Sequence, residues 1–424
     1  MRATIRSLRN LPKAFQMIDM ADIDAVEGWL VNQALMSARV PDMFGDLCIR
    51  LRETGVEIDR ALLAWTTLHP LFDAETAFWK TGEAVQHARF EHAREGEEEN
   101  EVWLSSPMRA VQLERLPRLR RYLEGANAEF DFPLCAELCA EGYTDYFVLV
   151  TNFQMPALQE MRGQTGIMIS WATKQSGGFR EDQIQAIEYI QPRLALAAKA
   201  NLESEIARTI AETYLGRSAG TRVLNGQIRH GDGEKINAVI FYCDMRNSTR
   251  IAEALGPDPY LRWLNGYFSA TAGAVMAEGG EVLDFIGDAV LAVFPIGETG
   301  LQGAVQHAIA AADKSLQNVE RINTQPGKAA SQPVLEIGIA LSVGEVMFGN
   351  IGVPERMTFS VIGQTVHAAA RIETLTKAVQ KHTLMTGEIA QFVPERAEAA
   401  GDFELNGFEE PEPLFALRPA AKVK

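Results

Sequence analysis

Apolar positions in the C-terminal half of the chain fall into short unbroken runs divided by polar, Gly-bearing stretches. The run AVIFYC at 238–243 is β-branched and aromatic and too short for a helix, which predicts a buried strand. The polar stretch DMRNST at 244–249 predicts a turn, and helices follow to about residue 277. Residues 279–294, GGEVLDFIGDAVLAVF, read as strand, turn and strand, reversing at Gly287-Asp288. A long helix is predicted over 299–322 and a strand over 334–343. Gly344, Gly349 and Gly352 are read as punctuating the turn after it. A strand at 357–362 and a helix at 364–378 complete the series. No internal repeat is visible.

The N-terminal half is patterned differently. Residues 22–36 have helical spacing through Val26, Leu30 and Leu35, and 44–54 form a second helix stopping at Gly55. Residues 62–72 alternate as a strand. The basic stretch 113–125, with Arg115, Arg118, Arg120 and Arg121, reads as an exposed amphipathic helix face. Strands at 146–152 and 166–172 precede a Ser176-Gly177-Gly178 turn and a helix running to 215, with Pro192 as a kink. Leu194, Leu202, Ile206 and Ile210 occupy one side of that helix, a face suited to pairing with its twin. Residues 216–233 are Gly-rich and polar and read as a linker. The expected division is an α+β domain at 1–200, a helical and Gly-rich linker at 201–233 and a second domain at 234–424.

Bulk properties narrow the function. The chain has 424 residues, 40 basic against 56 acidic, and a formal charge of −16, which argues against nucleic acid or an anionic membrane as the main partner. The four cysteines, Cys48, Cys135, Cys139 and Cys243, are too scattered for a disulfide framework, and Cys135 and Cys139 read as buried small apolar residues. No apolar run approaches the ~20 residues of a membrane span, and the basic N-terminus leads to no signal core, so a cytoplasmic location is expected. The acidic run at 95–101 reads as a solvated loop. Trp65, Trp79, Tyr143 and Trp171 read as core before they read as a ligand cavity. His69, before Pro70, reads as a core or turn histidine before a haem ligand.

The candidate chemistry lies in two aspartates. Asp244 ends one apolar run and Asp288 sits in the turn of the strand pair. With those strands side by side, the two carboxylates meet at one sheet edge. At ~4 Å and an effective dielectric near 20 they repel by about 4 kcal/mol, which a divalent cation such as Mg²⁺ reverses. The backbone N–H groups of Asn247, Ser248 and Thr249 lead into a helix and suit phosphate.

FYCDMRNST, GGEVLDFIGDAVLAVF, GEVMFGNIG and FSVIGQTVHAAARIE occur in that order. From about residue 236 to 417 the chain resembles the catalytic domain of the class III adenylate and guanylate cyclases. The resemblance implies a ferredoxin-like α+β fold and a homodimer whose two composite sites are shared head to tail. In such a site the 3′-hydroxyl of ATP or GTP attacks its own α-phosphate and releases diphosphate. It implies two Mg²⁺ or Mn²⁺ ions on Asp244 and Asp288, and Arg371 against the charge on the α-phosphate. His367 stands where the family has a ribose-contacting asparagine. Asp284 stands in place of a base-reading lysine, with Ser360 as its partner. Asn406 stands in place of a phosphate-contacting lysine. A carboxylate at Asp284 accepts from guanine N1–H and N2–H₂, whereas the family default is ATP. More loosely, the two strands, loop and long helix at 146–200 resemble the end of a GAF-like sensory domain, for an unknown small-molecule or protein signal. Residues 216–233 resemble the join upstream of many bacterial cyclase domains. Two classes of function follow: an active purine nucleotide cyclase, and a catalytically degenerate nucleotide-binding module that keeps its aspartates.

Overall fold

The structure, a computed structural model, describes residues 17–91, 101–155, 165–229, 231–324, 333–353, 355–405 and 410–419. It divides into two compact units, Met1–Ile210 and Ala211–Lys424.

The first unit opens with α1 (Met20–Leu35), capped by the Asp19 side chain, which accepts from Ala21 N, and α2 (Val40–Glu53). Strands β1 (Arg60–Thr66), β2 (Phe72–Lys80) and β3 (Gln86–Glu91) form a meander. There follow α3 (Glu101–Leu104), α4 (Pro107–Glu114), β4 (Arg118–Tyr122), α5 (Pro133–Ala140), β5 (Asp145–Asn152), β6 (Gly166–Thr173) and α6 (Glu181–Leu215). The antiparallel sheet has the order β3-β2-β1-β6-β5-β4. Period-two alternation gives it two cores. Leu63, Trp65, Trp79, Ile169 and Trp171 pack with α1, α2 and α6. Tyr143, Tyr146 and Val148 pack with α4 and α5 on the other side.

Several expectations change here. The strand expected over 62–72 ends at Thr66, and Phe72 already belongs to β2. The basic stretch 113–125 is not a helix. Arg115 takes φ 53° and ends α4, Pro117 bars its continuation, and β4 follows at the sheet edge. Leu116, Leu119 and Leu123 have helical spacing, which produced the misreading. The arginines are partnered: Arg120 with the fully buried Asp145 (2.7 Å), Arg121 with Asp131 (2.7 Å) and Arg118 with Glu188 (2.9 Å). Of the four positions expected to face a twin helix, Leu194, Leu202 and Ile206 of α6 are buried in the first unit's own core, while Ile210 is exposed. Tyr143 lies in a different core from the three tryptophans, so the four line no common cavity. His69 is a turn histidine whose Nδ1 accepts from Leu71 N at 3.1 Å. Cys135 is buried and Cys139 half-buried.

The second unit begins within the expected helical and Gly-rich linker, where Arg217–Leu224 is a helix, α7. Its Ala219 is buried against Leu283, and Ser218 N donates to Glu281 Oε1 at 3.1 Å. Then come β7 (Gly233–Met245), α8 (Ser248–Leu255), α9 (Pro257–Ala277), β8 (Glu281–Ile286), β9 (Ala289–Pro295), α10 (Gly300–Thr324) and β10 (Ile337–Val353). The order β10-β7-β9-β8, antiparallel throughout, with helices crossing between β7 and β8 and between β9 and β10, is the ferredoxin-like arrangement. β11 (Arg356–Ile362) folds back on β10; α11 (Gln364–Ala378), β12 (Thr383–Thr386), α12 (Gly387–Ala390), β13 (Ala397–Phe403) and β14 (Glu412–Leu417) extend the sheet. Gly344, Gly349 and Gly352 lie inside the 17-residue β10 and mark no turn. At Gly349 a Cβ would strike the backbone of Asp232 and Gly233, so this glycine permits close strand approach. Among the described residues no helix is long and apolar enough to cross a membrane.

Candidate active site

The site starts from the alternation of β7. Val239, Phe241, Cys243 and Met245 face the core under α9 and α10. Ala238, Ile240 and Tyr242 face the opposite side, toward α11, and Asp244 continues that set at the strand end. β7 pairs with β9 up to Cys243↔Val290. Asp288 opens the turn feeding β9, after Gly287 at φ 65°, a left-handed conformation that glycine adopts without a Cβ clash. The two aspartates expected to meet do so. Burial, the Asp288 charge and contact with the Asp288 side chain together push the Asp244 carboxyl up to about 6, against which Met245 N donates to Oδ1 at 2.8 Å.

A third carboxylate stands behind them, one not singled out from the sequence. Glu373 on α11 is only 8 % exposed, and burial followed by the Asp244 charge pushes it to about 7. Its Oε1 roofs Gly338, the residue of β10 that pairs with Asp244; a Cβ there would collide with Glu373 Oε1 and Thr376 Oγ1. The signal was present: Ala368, Ala369, Ile372 and Thr376 mark the buried stripe of α11, and Glu373 is a charged residue within it. Arg246 Nη2 donates to Lys381 O at 2.7 Å and to Thr376 Oγ1 at 3.5 Å, fastening the residues after Asp244 to the C-terminal end of α11.

Asn247, Ser248 and Thr249 stand at the start of α8. Asn247 takes φ 61° and makes no side-chain cap, which leaves the first N–H groups of α8 without that partner. His367 and Arg371 are four residues apart on α11, one turn, with His367 exposed and Arg371 half-buried. Asp284 lies on β8 at a bulge, opposite Leu291, and Ser360 lies on β11, opposite Gly349. Ser360 alternates away from the core shared by its neighbours Phe359 and Val361, whereas the bulge breaks the alternation of β8, so Asp284, paired with Leu291 of that same core, falls on the side of Leu283. Among the described residues no hydrogen bond joins Asp284 to Ser360. Asn406 lies outside the described residues.

The donor set suits a hard divalent cation. Two carboxylates in contact supply oxygen ligands and an uncompensated charge. Among the described residues no group of three or more His, Cys, Asp or Glu converges as a metal cage, so further ligands would come from phosphate oxygens and water.

Residues 233–416 match the sequence model of the adenylate and guanylate cyclase catalytic domain. An adenylate cyclase of Anabaena cylindrica is 34% identical over 154 residues, covering 36% of this chain and 30% of the relative. The terminal-differentiation-specific adenylate cyclase of Dictyostelium discoideum is 27% identical over 194 residues, covering 46% of this chain and 9% of the relative. The chain thus matches less than a third of the length of either. Among solved structures, a bacterial light-regulated adenylyl cyclase is 23% identical with a TM-score of 0.46, over 56% of this chain and 67% of that one. A guanylyl cyclase is 25% identical with a TM-score of 0.39, over 45% of this chain and 96% of that one.

Proposed function

We propose, from the premise that residues 233–416 are an adenylate and guanylate cyclase catalytic domain, that the protein cyclises a purine nucleoside triphosphate to its 3′,5′-cyclic monophosphate and diphosphate. The observation that carries this reading is the meeting of Asp244 and Asp288 at the end of β7. Each chain residue then has a task. Asp244 and Asp288 would hold Mg²⁺ or Mn²⁺, two per site, and the N–H groups at Asn247–Thr249 would receive phosphate oxygens. When bound, the cations neutralise phosphate charge and acidify the attacking hydroxyl. Arg371, half-buried and without an ion pair among the described residues, stabilises charge growing on the α-phosphate. His367 donates to the ribose.

The sites belong to a homodimer: Asp244 and Asp288 of one protomer work with Asp284, Ser360, His367 and Arg371 of its partner. Exposed Phe285 and Ile286 beside the Asp288 turn, with Met347, Val353 and Ile362 on β10 and β11, support an apolar interface there. Residues 1–200 are a regulatory domain, and α6, which runs from the first unit into the second, is its covalent route to the catalytic domain. Kinship with adenylate cyclases favours ATP. The carboxylate of Asp284, an acceptor where adenine N1 needs a donor, favours GTP. Purified protein incubated with Mn²⁺ and each of the four ribonucleoside triphosphates tests the reading. A cyclic purine product supports it and its base settles the preference; absence of product with all four leaves the nucleotide-binding module.

A further inference from the structure

Glu373 has no role in the reaction as derived so far, yet its placement is costly. A carboxylate is rarely buried without an ion-pair partner. Among the described residues its side-chain hydrogen-bond donor is Thr376 Oγ1, at 3.4 Å, and no cation lies within ion-pair distance. Space for it exists because Gly338 lacks a Cβ, and Gly338 is the strand partner of Asp244. Directly paired residues present their side chains on one face of a sheet, with Cβ atoms roughly 5 Å apart. The Glu373 carboxylate therefore stands where a side chain opposite Asp244 would stand. Thr376, fully buried, fixes it and also accepts from Arg246, two residues beyond Asp244.

We propose that Glu373 is a positioning residue of the cation site: seated over Gly338 and steadied by Thr376, its carboxylate adds negative charge behind Asp244 and strengthens divalent-cation binding there. This rests on the proposed function, because the cation is the one that reading assigns to Asp244 and Asp288. It acts through Asp244 and touches no substrate.

The test is Mn²⁺ binding to the full chain without nucleotide, followed by electron paramagnetic resonance, with thermal unfolding as the check on folding. Glu373→Gln keeps the shape and removes the charge, and it should weaken Mn²⁺ about five- to tenfold, the scale of one partly screened charge. Glu345→Gln, a surface residue paired with Lys235, should bind as wild type does. If Glu373→Gln does not fold, Thr376→Val carries the test, with a loss of about two- to threefold expected from the unsteadied carboxylate. Mn²⁺ binding lost in Asp244→Ala but unchanged in Glu373→Gln, or in Thr376→Val where that variant is used, overturns this inference alone. Binding indifferent to Asp244→Ala overturns the cation site and the inference with it.

Discussion

Asp244 and Asp288 meet at one strand end: Asp244 follows the last β7–β9 pair, Cys243↔Val290, and Asp288 precedes Val290 by two residues in the turn that feeds β9. The arrangement is unfavourable until something positive joins it, because burial and like charge both oppose ionisation of Asp244. A fold that carries this cost at one place has a stability reserve there that function consumes.

Asp288→Asn should therefore stabilise the cation-free protein at pH 8 while abolishing cyclisation. Removing one of two repelling carboxylates is expected to gain about 1–2 kcal/mol. Thermal unfolding with chelator present measures it; a lower melting temperature in the variant would contradict the like-charge account.

The pH dependence runs opposite to that of a salt-bridged carboxylate. Asp244 is raised to about 6 and Glu373 to about 7, each chiefly by burial. In the unfolded chain both ionise near about 4. Between those values the folded state binds more protons than the unfolded, so these groups lower stability as pH rises from about 4 to 7. Compared with an Asp244→Asn/Glu373→Gln double variant, wild type without cations should lose melting temperature across that window. Saturating Mn²⁺ should reduce the loss, since a cation favours the ionised forms.

Shared sites make a prediction about mixtures. Asp288→Ala and Arg371→Ala homodimers should both be inactive. Heterodimers of the two retain one intact site, so about half the wild-type rate per heterodimer is expected when the sites act independently. Cyclic product from mixtures shown to form heterodimers measures this, and no recovery argues for sites built within one protomer.

In the first unit, Arg120 holds the fully buried Asp145 through Nε and Nη2 and also donates to Phe179 O just ahead of α6. Arg120→Ala leaves a buried carboxylate without its cation, which should cost about 3–5 kcal/mol. Denaturant unfolding of the full chain checks this, and a loss under 1 kcal/mol would place Asp145 in contact with water.

The second unit was legible because its strands are continuous apolar runs, because four ordered motifs carry a family resemblance that implies the ferredoxin-like fold, and because Asp244 and Asp288 each sit at a chain reversal. Glu373, on helix α11, was not found, since its meaning depends on Gly338, 35 residues earlier on β10 and the register partner of Asp244. The glycines of β10 misled for a related reason: Gly349 serves close approach between strands, and sequence alone cannot separate that from a turn. In the first unit β4 was missed because Leu116, Leu119 and Leu123 mimic a helix, and the edge strand shows only in its antiparallel pairing with β5, about 25 residues later. α6 was found, but three of the four positions read as suited to a twin helix, Leu194, Leu202 and Ile206, belong to the first unit's own core.

The central claim is that the Asp244–Asp288 pair gathers cations onto a triphosphate, and cyclic nucleotide formation by wild type and Asp244→Ala, side by side with Mn²⁺ and the preferred purine triphosphate, tests it most directly. The account predicts product from wild type and a fall of at least about a thousandfold in the variant, the scale on which transition-state charge stabilisation is lost. Equal turnover in the two, with both proteins folded, would contradict it.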